Sequence, residues 1–136
     1  MRTPVRARFA GLTLIVLFCL LAVLHVLVMA GLVPGEIVWG GRAAASGNVM
    51  VMEAAALLVT LLFVAIVALR LRALASPGLR VSVRVAMWVV VAYLALNLVA
   101  NLASSVGTES LVFAPLTLVM LLLAVRVAIE PGPPTG

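Results

Sequence analysis

The sequence predicts an all-α fold, a four-helix transmembrane bundle with both termini cytoplasmic, and three observations lead there. The 136 residues are 66% hydrophobic and only 10% charged, with a mean hydropathy of +1.37. That leaves too little polar surface for a soluble globular domain to show to water. Four apolar runs are each long enough for a hydrocarbon core of about 30 Å, which takes around 20 helical residues. The arginines gather at one set of run ends, as the positive-inside bias requires.

The first run extends from Phe9 to about Val33, behind Arg2, Arg6 and Arg8. Val28-Met29-Ala30 has the look of a signal-peptidase site, but a run of roughly 25 residues exceeds the ~7 to 15 of a signal h-region. It is therefore expected to remain as a span. The second run covers Val49 to Leu69, and Arg70, Arg72, Arg80 and Arg84 follow it around the turn-forming "ALASPGLR". The third covers Val83 to Ser105, and the fourth Leu111 to Ile129 with Arg126 near its end. None shows the alternation of a barrel strand, and backbone groups in lipid must be bonded within the segment, so each is a helix.

These runs form one domain over residues 1–130, and the prolines and glycines of residues 131–136 predict a disordered tail. An even number of crossings puts all the arginines but Arg42 on one side, which the bias makes the cytoplasm of a cell inner membrane. The net charge of +5 is thereby explained as topology. It implies a lipid bilayer as partner and no nucleic acid. Cys19 is the lone cysteine, so no intramolecular disulfide forms. No Cys/His spacing suggests a metal, and no cofactor is expected.

The acids run opposite to the arginines, because Glu36, Glu53 and Glu109 fall at or near the outer face. Glu53 stands about one turn into helix two among Met52 and three alanines, where an ionised carboxylate costs on the order of 3 kcal/mol without a partner or water. It should face the bundle interior. Asn97 and Asn101, four apart, share one face of helix three. His25 comes from helix one. At 1.5 Å per residue, His25 and Asn97 lie about 12 Å below their outer ends, and Glu53 and Asn101 about 6 Å. Glu109 opens helix four, where the helix dipole favours a carboxylate. Pro115 then deprives the Leu111 carbonyl of its usual donor, which either faces the polar pocket or kinks the helix.

Above these residues lies "GEIVWGGRA", Gly35 to Ala43. Arg42 is the natural counter-ion for Glu36, Glu53 or Glu109, Trp39 is placed to cover a cleft, and Gly40 and Gly41 permit close backbone approach. Each residue also has a plainer role. Trp39 suits an interfacial anchor. His25, Asn97 and Asn101 suit hydrogen bonds between helices, and the Glu/Arg pairs suit a structural staple. The convergence of all four helices on one depth favours a shared outward-facing site.

With "EIVWGGR", Glu53, "NLVANL" and a late "APLT", the chain resembles small bacterial four-helix membrane proteins of uncharacterised function that carry an acid-x-x-Trp-Gly-Gly-Arg loop. The resemblance implies a bacterial inner-membrane protein and no particular activity. Glu36, Trp39, Gly40, Gly41, Arg42, Glu53, Asn97 and Asn101 match its pattern. The design is also similar, more loosely, to helical-bundle membrane proteins that bind or isomerise sterols, which commonly have another helix count.

Three functions compete with a purely structural cluster. The first is binding of a small amphipathic ligand, such as a lipid headgroup, quinone or isoprenoid, by Glu36, Trp39, Arg42, Glu53, Asn97, Asn101 and Glu109. The second is an enzyme with Glu53 and His25 as catalytic acid/base pair on a lipid-soluble substrate. The third is an accessory subunit or proton-linked transporter; four helices are few for transport, so a homo-oligomer is expected there. Ala103 and Gly107 are spaced for a helix contact. No nucleophile–base triad or phosphate loop is present.

Overall fold

The protein is described by a computed structural model over residues 3–35, 47–74 and 80–131. Helix α1 spans Thr3–Met29, α2 Val49–Ala73 and α3 Arg80–Ala103. A π-helical turn, Glu109–Phe113, leads into α4, Ala114–Ile129. All four helical stretches are long and apolar enough to cross a membrane, the multi-pass architecture of an integral membrane protein. Neighbours pack around a ring: α1 on α2 and α4, α3 on α4 and α2, with α2 and α4 barely meeting across the diagonal.

Some boundaries differ from the hydropathy reading. Helix α1 begins before Phe9 and stops at Met29 rather than Val33. Gly31 turns left-handed at φ +72°, and its N–H bonds the Val28 carbonyl while that of Leu32 bonds Leu27. This paired closure is a Schellman cap. Hydropathy continues past it because an apolar residue says nothing about backbone torsion. Helix α2 runs on through Arg70 and Arg72 to Ala73, residues expected in the connection.

The core occupies the half of the bundle towards the arginines and its middle. Leu14 and Phe18 of α1, Phe63 and Val67 of α2, Met87, Val90 and Leu94 of α3, and Met120, Ala124 and Val127 of α4 interlock there, all buried. Outward surfaces are equally apolar: Phe9, Leu12, Val16, Leu20 and Val23 of α1 are exposed, at the spacing of one helical face. Such a surface suits lipid and would aggregate in water. Gly11 brings α1 and α2 close, since a Cβ there would lie 2.6 Å from a Leu71 methyl.

Arg70 departs from its expected part. Its side chain is only 2% exposed and donates to the backbone oxygens of Val127 at 3.4 Å, Ala128 at 3.4 Å and Glu130 at 2.6 Å. A guanidinium thus caps the carbonyls that the end of α4 leaves without helical partners. Arg126 pairs with the Glu130 carboxylate one turn away. At the other end of the fourth span, the Ala114 N–H bonds the Glu109 carbonyl. The turn widens directly before Pro115, whose missing N–H leaves the Leu111 carbonyl without its α-helical donor. The interruption that the proline imposes is thus met by a π-helical turn immediately before it.

Candidate functional site

The early end of α1 decides the site. His25 stands four residues before Met29, and Glu53 four after Val49, so each lies about 6 Å from a helix end. The expected depth for His25 was twice that, because it counted from Val33. Placed level, His25 Nδ1 and Glu53 Oε2 approach to 2.6 Å. The carboxylate is fully buried and the imidazole 18% exposed. A buried carboxylate is tolerable when paired and hydrogen-bonded, and the pairing orients the ring.

Beside this dyad lies a cavity of about 590 Å³ walled by all four helical segments. Its floor, towards the core, is aromatic: Phe18 and Phe63 ring centroids lie 5.6 Å apart, and Phe63 meets Tyr93 edge-to-face at 4.9 Å. Its mouth is polar, with His25, Asn97, Asn101, Ser104, Ser105 and Glu109 on the lining. Tyr93, Asn97 and Asn101 follow one another at intervals of four, so α3 carries a polar stripe from floor to mouth. Asn101 donates to Thr117 Oγ1 at 3.0 Å, tying α3 to α4. Glu53 does not reach the lining; His25 stands between it and the cavity.

No family model, curated protein or solved structure matches this chain. The chemistry has to be read from the site itself. Among the described residues no cluster of three or more His, Cys, Asp or Glu is placed to hold a metal ion.

The structure gathers His25, Asn97, Asn101 and Glu109 around one space and sets Glu53 behind His25. Glu36, Trp39, Gly40, Gly41 and Arg42 lie outside the described residues. Sequence reasoning missed Tyr93, Thr60 and Thr117, which also line the cavity. Tyr93 lies four before Asn97 and Thr60 seven after Glu53, so extending each polar position along its own helical face would have found both. Thr117 offered no such signal, because a threonine between leucines is common in any membrane helix.

Proposed function

We propose that the protein binds a small amphipathic, lipid-like molecule in this cavity, with His25 as the polar contact and Glu53 as the group that orients it. The observation that carries this reading is the gradient of the lining, aromatic at the floor and hydrogen-bonding at the mouth. Its volume also falls within the ~300–1,000 Å³ of small-molecule sites. A cluster that served only to staple helices would close such a space. Conduction is disfavoured by the buried layer of Leu14, Val67, Met87 and Met120, which lies between the cavity and the arginine end.

The 2.6 Å contact favours a second reading, an acid/base enzyme. With Nδ1–H donating to Glu53, Nε2 could take a proton from a substrate, and the carboxylate would stabilise the imidazolium. The arginine bias supports cytoplasmic termini, and the loop resemblance supports a bacterial inner membrane.

Native mass spectrometry tests the binding reading on protein extracted into a lipid-preserving polymer. Wild type should carry a discrete extra mass that Asn97→Leu and Ala100→Trp lose. No extra mass, with both variants merely less stable, would make the cluster structural.

A further inference from the structure

We infer that the ligand is a neutral hydroxylated aromatic ring bearing an apolar tail, with its hydroxyl on His25 Nε2 and its ring against Tyr93 and Phe63. This rests on the binding reading above and names its chemical class.

The floor gives the first argument. Phe18, Phe63 and Tyr93 form a chain of tilted and edge-to-face contacts, the second with an interplanar angle of 71°. The chain ends on Tyr93, 43% exposed and on the cavity lining. A further ring would continue the sequence, gaining offset or edge contacts beyond what its buried area provides. A purely aliphatic tail would gain area alone.

The mouth gives the second. Nδ1 of His25 is committed to Glu53, which leaves Nε2 for a ligand. Depending on where the shared proton rests, Nε2 is an acceptor or a donor. A hydroxyl can answer both, since it carries one donor and two acceptor positions. The Asn97 amide, one turn above Tyr93 on the same stripe and on the cavity lining, likewise carries both donors and an acceptor. Among the described residues the lining offers no arginine or lysine to hold an anionic head. Between α2 and α3, Ala56, Ala100 and Ala103 on the lining present little bulk to a tail.

The test uses full-length protein with ¹³C-methyl methionine in phosphatidylcholine nanodiscs. Met52 lines the cavity, whereas Met87 is fully buried in the core and serves as control. Four probes share a decyl chain: 4-decylphenol, decylbenzene, decyl phosphate and decyltrimethylammonium. The phenol should shift the Met52 methyl at a probe-to-lipid ratio about tenfold lower than decylbenzene, the scale of one well-made hydrogen bond, without moving Met87. His25→Phe, which keeps a ring and removes its nitrogens, should abolish that advantage. Equal response to phenol and decylbenzene would overturn the hydroxyl assignment, and preference for the phosphate or ammonium probe would overturn the class while leaving a binding cavity. If no probe moved Met52, the binding reading itself would fall. The wild-type comparison decides among these outcomes even if His25→Phe folds poorly.

Discussion

The imidazole of His25 meets the carboxylate of Glu53 at 2.6 Å although 28 residues separate them in the chain. Two helices are thereby joined through a polar pair in a largely apolar bundle. His25→Leu should destabilise the protein by about 3 kcal/mol, because it strips a fully buried carboxylate of its histidine. His25→Leu with Glu53→Leu should be less harmful than His25→Leu alone. Reversible unfolding in mixed micelles measures both, and simple additivity would show that the pair is not coupled.

Arg70 should resist replacement more than any other described arginine. Arg70→Leu removes three contacts to the end of α4 and should lower stability by about 2 kcal/mol, the scale of hydrogen bonds to a charged group. Arg70→Lys should fall between, since an ammonium can keep the Glu130 oxygen but cannot span the same fork. Arg72→Leu, on an exposed position, serves as comparison, and an equal loss there would contradict the capping role.

Asn101 and Thr117 should couple weakly. In membrane helices a hydrogen bond between side chains averages roughly 0.6 kcal/mol by double-mutant cycle, so Asn101→Leu and Thr117→Val should show a coupling of that order. A coupling of zero would mean that the 3.0 Å contact contributes nothing to holding α3 on α4.

Pro115→Ala restores an N–H that can reach the Leu111 carbonyl. The π-helical turn should then tighten towards α-helical geometry, shifting the lining residues Phe113, Leu116 and Thr117. Occupancy of the cavity by the proposed ligand should drop while thermal stability holds or rises. Hydrogen exchange at residues 109–113 reports the turn; unchanged protection and unchanged occupancy would separate the turn from the cavity.

Much of this was legible beforehand. Length and hydropathy were enough for the four spans, and the cost of a buried charge pointed Glu53 inward. Asn97, Asn101, Glu109 and His25 were found because polar groups are conspicuous in an apolar chain. The level of His25 was not legible, since it depends on a left-handed torsion at Gly31 that a hydropathy count passes over. Arg70 was misjudged for a related reason. An arginine at a span's end has an ordinary topological explanation, and only the tertiary arrangement brings the C-terminal carbonyls of α4 within its reach. Tyr93 could have been reached along the face of Asn97, but that Phe18 and Phe63 join it as a floor depends on contacts between helices that the sequence does not display.

The division between a polar-mouthed cavity and an apolar core also has an electrical meaning. Across a polarised membrane, voltage falls where charge carriers and water are absent, which here is the layer of Leu14, Val67, Met87 and Met120. A full traverse at 100 mV is worth about 2.3 kcal/mol per elementary charge, and the buried apolar layer, which does not include His25, should take the larger share of that drop. The dyad should therefore stay at nearly the potential of the compartment it faces, and its occupancy should follow that compartment's chemistry while ignoring the membrane voltage.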